Sequence, residues 1–257
     1  MKYLVGIIRV IYSIYAFTLF IILMLLLLPT ILVASLLGKV DGGNIIYEAC
    51  RIWADMWMFL IGISHKNIYD APHDISRQYI FLSNHISYMD IPVMMKAIRK
   101  QHFRILGKAE LGKIPVFGFI YKQAAVSVDR NNPGNRAQSV LTLKSIIRKK
   151  ISVFICPEGT FNETHKPLKD FYDGAFKIAI ETQTPVKPLL FLDTYDRLNY
   201  KSIFSLSPGM SRTIFLEETI TAGLSIEDVY LLKEKIYKQM EDALIRYKAS
   251  WIQPSKS

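Results

Sequence analysis

A histidine and an aspartate lie five positions apart in the stretch FLSNHISYMDIP, as His85 and Asp90. In a continuous helix these two side chains would point about 140° apart around the axis. The residues before them, IFLS, predict a strand, and the proline two positions after Asp90 is typical of the first turn of a helix. A turn between strand and helix can therefore bring His85 back to Asp90. A carboxylate bonded to one imidazole nitrogen makes the other nitrogen more basic, so the pair could remove a proton from a hydroxyl group.

The same two residues also fit a purely structural interpretation. Asp90 can cap the N-terminus of the predicted helix, because aspartate is favoured at that position. His85 is then an ordinary turn residue. The stretch by itself leaves both interpretations open.

A second polar segment follows another predicted strand. In VFICPEGTFNE an apolar run leads into Pro157, Glu158, Gly159 and Thr160. Proline and glycine end the strand and expose backbone amides, while Glu158 adds an acceptor and Thr160 adds a hydroxyl group. Functional side chains are commonly built on loops of this kind, so the segment is a candidate second part of the same site.

Cys156 stands beside this segment and suggests a rival mechanism. A thiolate activated by His85 would make the protein a thioesterase or a ping-pong transferase. A small apolar residue that ends a buried strand explains Cys156 more simply. The chain has two cysteines, Cys50 and Cys156, whose apolar neighbours and spacing predict neither a disulfide nor a zinc site. The histidines match no metal-binding motif, so no metal is expected.

The chain after residue 70 alternates short apolar runs with amphipathic stretches. This alternation predicts an α/β fold with a mixed, mostly parallel sheet flanked by helices. The predicted strands are 79–83, 124–128, 151–156, 185–192 and 213–218. The predicted helices are 91–100, 136–149, 174–182 and a C-terminal amphipathic helix with Ser225 as N-cap and Asp228 three residues on.

The N-terminal part predicts a membrane anchor. Residues 10–38 contain no charged residue and no histidine, and a helix of that length extends about 43 Å, beyond a hydrocarbon core of about 30 Å. We expect a break or kink near Pro29. Residues 44–64 fit an amphipathic helix that lies in the membrane interface, packs on the first helix, or belongs to the core of the soluble domain. We therefore divide the chain into a membrane-associated segment, residues 1–64, and an α/β domain, residues 65–257.

The charge balance bears on the choice of partners. The chain carries 32 Lys and Arg against 22 Asp and Glu, a formal net charge of +10. Beside a membrane anchor, this excess favours anionic lipid headgroups and anionic substrates over nucleic acid. We therefore expect a membrane protein without a nucleic-acid partner. The absence of a disulfide pattern agrees with a domain on the reducing, cytoplasmic side.

The order and spacing of these motifs carry a family resemblance. Asn84-His85-x4-Asp90, followed about seventy residues later by Pro-Glu-Gly-Thr, resembles the glycerolipid acyltransferase family, and within it the 1-acylglycerol-3-phosphate (lysophosphatidate) O-acyltransferases. GKAELGKIPVFG is similar to the family's Lys-x-Glu-Leu…Pro…Gly segment, and AVSVDR ends in Arg130, where the family keeps a basic residue for the acceptor's phosphate. TPVKPLLF resembles the last, proline-rich block. The resemblance covers roughly residues 75 to 195.

The resemblance implies a reaction and a set of roles. His85, oriented by Asp90, takes the proton from the free hydroxyl of a lysolipid, and the oxygen attacks the thioester of acyl-CoA or acyl-carrier protein, which act as co-substrates without any cofactor. The acceptor is expected to be 1-acylglycerol-3-phosphate, and the product phosphatidic acid. The site would lie at the cytoplasmic side of a membrane, the cell inner membrane in a bacterium. The implied substrate-binding residues are Asn84, Lys108, Arg130, Glu158, Gly159 and Thr160.

One residue departs from the family pattern. Many members continue the motif as Pro-Glu-Gly-Thr-Arg, whereas this chain has Phe161 in place of the arginine. Lys166 and Lys169 are basic residues nearby. A phosphate-free lysolipid, such as an N-acylated amino acid with a hydroxyl group, is therefore an alternative acceptor, and a membrane-bound lipid-binding protein without catalysis is the non-enzymatic alternative.

Overall fold

The computed structural model describes residues 2–129 and 131–253. Within these ranges seven strands form one sheet: β1 (Ile63–Tyr69), β2 (Ile80–Ser83), β3 (Phe103–Lys108), β4 (Ala125–Val128), β5 (Ser152–Ile155), β6 (Val186–Phe191) and β7 (Gly209–Phe215). The α-helices of the same ranges are α1 (Lys2–Ser35), α2 (Gly43–Leu60), α3 (Asp90–Ala97), α4 (Phe117–Ala124), α5 (Pro133–Arg148), α6 (Gly174–Thr182), α7 (Thr194–Arg197) and α8 (Val229–Arg246). The predicted fold class is confirmed.

The sheet brings one end of most strands to a common edge. Its order is β1-β7-β6-β2-β5-β3-β4, in which β6, β2, β5, β3 and β4 run parallel. β7 is antiparallel to β6, and β1 is parallel to β7. The central strands β2 and β5 are buried on both faces, as expected for parallel strands covered by helices. Because the strands are parallel, the loops that follow them meet at their carboxyl edge.

Helices cover both faces of the sheet. Neighbouring residues of β2 point into different cores, Phe81 into the first and Ile80 into the second. The first core is completed by α2, α3 and α4, through residues such as Trp57, Val93 and Ile120. The second is completed by α5, α6 and α8, through residues such as Leu143, Phe176 and Ile236.

α1 packs antiparallel on the outer side of α2. The indole N–H of Trp57 donates to the carbonyl of Ala16 at 2.7 Å. Phe20 meets Trp53 edge-on, with ring centroids 4.6 Å apart. α2 therefore lies between α1 and the sheet. Two of the alternatives expected for residues 44–64 hold together: the helix packs on the first helix and also belongs to the core.

The outer faces of α1 are apolar and exposed. Among the described residues, α1 is the only helix long and apolar enough to cross a membrane. Only 17 % of its most apolar 18-residue stretch is buried inside the protein. The helix continues past Pro29 without interruption, so the expected break there is wrong, and the alternative of a kink stays a prediction. The proline removes one backbone donor, while the helix beyond it is held by Ile31 and Ala34, which are buried in the first core.

Two strands, β1 and β3, were not predicted from the sequence. β3 contains Arg104, which is buried and donates to the carbonyls of Lys39 and Val40 in the link between α1 and α2. β1 (ISHKNIY) carries polar residues along its middle and lies at the edge of the sheet. The domain boundary predicted after Ser64 falls inside β1.

Candidate active site

The candidate residues follow different strands and meet at the carboxyl edge of the sheet. His85 lies in the loop after β2, and Glu158, Gly159 and Thr160 lie in the loop after the neighbouring strand β5. The backbone N–H of Asn162 donates to the carbonyl of His85 at 2.8 Å, which ties the two loops together. His85 and Glu158, which are 73 positions apart in the sequence, thus share one site.

The turn between β2 and α3 joins His85 to Asp90. The Nδ1 atom of His85 lies 2.8 Å from Oδ2 of Asp90. The same oxygen accepts the backbone N–H groups of Ile86 at 2.8 Å and Ser87 at 3.0 Å. Asp90 is the first residue of α3, but its side chain makes no bond that caps this helix. The carboxylate instead turns back into the preceding loop, which excludes the simple helix-cap interpretation.

This pairing leaves one imidazole nitrogen available. A carboxylate only accepts hydrogen bonds, so Nδ1 carries the hydrogen in its bond to Asp90 and Nε2 is the nitrogen that can accept a proton. The side chain of Asp90 is 3 % exposed, whereas that of His85 is 23 % exposed. A buried carboxylate thus holds a partly accessible base, an arrangement that can activate a hydroxyl group.

The carboxyl group of Glu158 connects the loop after β2 with the loop after β5. Its Oε1 accepts the backbone N–H of His85 at 2.8 Å, and its Oε2 accepts that of Lys169 at 2.9 Å. The residue is buried. Burial raises the pKa of Glu158 to about 8, although these two amide bonds lower it. Both carboxyl oxygens thus face backbone donors, which gives Glu158 a positioning role beside the implied substrate-binding one.

Gly159 and Thr160 form the turn that follows Glu158. Gly159 has φ +76°, a left-handed conformation that glycine adopts without steric cost and other residues rarely adopt. The Oγ1 atom of Thr160 accepts a hydrogen bond from Nζ of Lys169 at 2.6 Å. The hydroxyl group of Thr160 is therefore already hydrogen-bonded to the ammonium group of Lys169.

Asn84 connects β2 to β6. Its side-chain N–H donates to the carbonyl of Phe191 at 3.1 Å, and its side-chain oxygen accepts the N–H of Phe191 at 2.8 Å. The residue is buried. In the structure the amide of Asn84 thus extends the sheet pairing next to His85, and its implied contact with substrate stays a prediction.

A cluster of aromatic rings lies on one side of the imidazole and contacts it through Phe161. The ring of Phe161 lies 4.4 Å from that of His85, measured between centroids. Tyr88 meets Phe161 at 4.9 Å, and Tyr200 meets it at 6.3 Å. Sequence reasoning missed Tyr200, although its position in the loop after the predicted strand 185–192 was a signal. The residue that replaces the family's arginine is therefore part of the wall beside the base.

Of the two implied phosphate ligands, Lys108 lies apart from this cluster, and its role stays a prediction. Lys108 ends β3 and is exposed, and β5 separates its strand from β2. None of the hydrogen bonds or ion pairs described for residues 2–129 and 131–253 joins its ammonium group to the residues around His85. Arg130 lies outside the described residues.

Comparison with known proteins decides the family. A family model described as "Acyltransferase" matches residues 63–192, about half of the chain, and includes both motifs. The chain belongs to the acyltransferase family. The resemblance seen in the motifs is thereby confirmed.

The relatives of this acyltransferase share one activity in their names. A 1-acyl-sn-glycerol-3-phosphate acyltransferase from Cocos nucifera is 33 % identical over 45 % of this chain and 38 % of its own length. The human 1-acyl-sn-glycerol-3-phosphate acyltransferase beta is 26 % identical over 66 % of this chain and 61 % of its own length. The chain thus spans between about two fifths and three fifths of the length of these relatives.

A solved structure shares the whole fold. The crystal structure of the 1-acyl-sn-glycerophosphate (LPA) acyltransferase PlsC from Thermotoga maritima superposes with a TM-score of 0.71. The match covers 98 % of this chain and 100 % of the other at 20 % identity. At this level of identity the match establishes the fold, including the N-terminal helices.

Proposed function

We propose that this protein transfers a fatty acyl chain from a thioester to the free hydroxyl of 1-acylglycerol-3-phosphate, giving phosphatidic acid. The observation that carries the proposal is the 2.8 Å bond between His85 and the buried Asp90 at the carboxyl edge of the sheet. The names of the relatives support this acceptor. Acyl-CoA and acyl-carrier protein are the two donor classes that fit the reaction.

The chemistry needs one base and no covalent intermediate. Nε2 of His85 takes the proton of the acceptor hydroxyl while its oxygen attacks the thioester carbonyl, and the new C–O bond forms as the carbonyl becomes an oxyanion. Collapse of the tetrahedral intermediate breaks the C–S bond, and the imidazolium returns the proton to the leaving thiolate. Asp90 stabilises the imidazolium in between, because its negatively charged carboxylate is hydrogen-bonded to Nδ1 of the ring. Backbone amides near the site are the proposed donors to the oxyanion.

The proposed location is a membrane surface, with the α/β domain on the cytoplasmic side and the cell inner membrane as the expected site. The exposed apolar faces of α1 support this placement. α1 contacts a short turn, Ile203–Ser205, in which Ile203 and Phe204 are also exposed. Tyr12 of α1 bonds to the carbonyl of Ile61 just before β1, and β1 starts at the same edge as His85. A lysolipid could then reach the base from the bilayer while the thioester arrives from water.

A phosphate-free lysolipid is the second candidate acceptor. The apolar ring of Phe161 stands where many relatives have an arginine, and it contacts the imidazole directly. This favours an acceptor whose headgroup lacks a phosphate, such as an N-acylated amino acid with a hydroxyl group. The two candidates share the base and differ in the headgroup.

The test is acyl transfer by the purified full-length chain in detergent micelles. Radiolabelled acyl-CoA is offered with lysophosphatidate, with a phosphate-free lysolipid, or with no acceptor. We expect labelled phosphatidic acid, and we expect His85→Ala to lower kcat by about 10³-fold. His102→Ala is the matched control, because His102 is an exposed histidine before β3 and should leave the rate unchanged. Activity retained in His85→Ala refutes the mechanism, and rapid release of CoA without acceptor identifies a thioesterase instead.

A further inference from the structure

Lys169 places a positive charge on the turn at Thr160, which follows Glu158 in the candidate site. Lys169 lies in the loop between β5 and α6 and is half-buried. Its Nζ atom lies 2.6 Å from Oγ1 of Thr160. Its backbone N–H and that of His85 bind the two oxygens of the same carboxyl group, Glu158. The two backbone nitrogens are therefore no more than about 8 Å apart.

The ammonium group of Lys169 has no anionic partner in the described part of the chain. No carboxylate of residues 2–129 and 131–253 forms an ion pair with it. Glu158 is the acid that shares its loop, and both oxygens of Glu158 already accept backbone donors. Burial raises the pKa of Glu158 to about 8, although the two amide bonds and the charge of Lys169 lower it. A half-buried cation without an ion-pair partner favours an anion from outside the protein.

The neighbouring residues narrow the choice of cation. Position 161 is phenylalanine and offers no charge. Lys166 lies in the same loop, but it is exposed and its backbone carbonyl, not its ammonium group, bonds to Asn162. Lys169 is thus the basic residue that the structure brings to Thr160.

We propose that Lys169 binds the phosphoryl group of the acceptor and determines the preference for an anionic lysolipid. The inference rests on the proposed acyl transfer and names its substrate class. Thr160 holds the ammonium group in place, while Phe161 packs on the base. A cation at this position substitutes for the arginine that the chain lacks at position 161.

The experiment separates acceptor binding from donor binding. KM for lysophosphatidate and KM for acyl-CoA are measured separately for the wild type, Lys169→Met, Lys169→Arg and the control Lys166→Met. We expect Lys169→Met to raise KM for lysophosphatidate about 10- to 100-fold with kcat changed by less than about threefold, as for the loss of one charge-assisted hydrogen bond. Lys169→Arg should restore most of the affinity, because it keeps the charge, and Lys166→Met should match the wild type.

A second readout uses the headgroup alone. Glycerol 3-phosphate should inhibit the wild type competitively against lysophosphatidate, and Lys169→Met should weaken this inhibition by the same factor. Methionine keeps most of the length of the side chain and leaves the backbone bond to Glu158, so the melting temperature should stay close to that of the wild type. An unchanged KM for lysophosphatidate, or a rise in KM for acyl-CoA instead, overturns the proposal. If the wild type transfers no acyl chain to any lysolipid, the proposed function fails rather than the role of Lys169.

Discussion

Asp90→Asn tests whether the carboxylate acts through its charge. In the wild type, Oδ2 of Asp90 accepts three donors, from His85, Ile86 and Ser87, and Oδ1 is buried without a partner among the described residues. Asparagine keeps one acceptor oxygen and nearly the same volume, so the turn can keep its shape. It removes the negative charge that stabilises the imidazolium.

The structure allows the size of the effect to be worked out. Losing a buried charge 2.8 Å from the protonated base is expected to lower kcat by about 10² to 10⁴, or about 3 to 5.5 kcal/mol of transition-state stabilisation. KM for lysophosphatidate should change little, because Asp90 contacts no acceptor. Folding stability should fall by only about 1 to 3 kcal/mol, since neutral hydrogen bonds replace charge-assisted ones. Asp90→Ala leaves two buried amides and the imidazole without an acceptor, which should cost about 3 to 6 kcal/mol.

The assay combines kinetics with thermal unfolding. Acyl transfer to lysophosphatidate gives kcat and KM, and circular dichroism in detergent gives the melting temperature of each variant. Asp55→Asn is the control, because Asp55 pairs with Lys96 and Arg99 at the other end of α3 and should leave kcat unchanged. An Asp90→Asn enzyme that is folded and works at nearly the wild-type rate would show that the charge does not serve the reaction.

Three further predictions concern the stability of the site and the membrane contact of the protein. Burial raises the pKa of Glu158 to about 8, so the folded state holds a proton that the unfolded chain loses above about pH 4.5. The stability of the wild type relative to Glu158→Gln should therefore fall as pH rises from about 5 to 8. A difference in melting temperature between the two proteins that stays constant over this range would contradict the prediction. Asn84→Ala leaves the buried N–H and carbonyl of Phe191 without side-chain partners, which should cost about 2 to 4 kcal/mol of stability, whereas a normal melting temperature with a raised KM would support direct substrate contact. In a background without the native cysteines, a fluorophore attached to Phe204→Cys should be quenched by brominated lipids in vesicles. The same fluorophore on Ile226→Cys, at the opposite edge of the sheet, should not be quenched, and equal quenching at the two positions would refute the proposed membrane contact.

Several elements were predictable from local pattern because their side chains alone carry the signal. The apolar runs of β2, β4, β5, β6 and β7, the long N-terminal helix and the α/β class all follow from hydrophobicity and spacing. Ser225 and Asp228 form the capping box that was expected before α8. β3 was not predictable, because burial of Arg104 depends on carbonyls contributed by the link between α1 and α2, some sixty residues earlier.

The candidate site divides in the same way. By itself, the sequence determined which residue types follow β2 and β5 and the family to which they belong, because a short motif at a given spacing is a local property. Only the tertiary structure decided what those residues contact. The turn before α3 directs Asp90 back to His85, the pairing of β2 with β6 engages Asn84 with Phe191, and the loop after β5 carries Lys169 to Thr160. These contacts depend on where separate strands end relative to one another, which spacing along the chain does not specify.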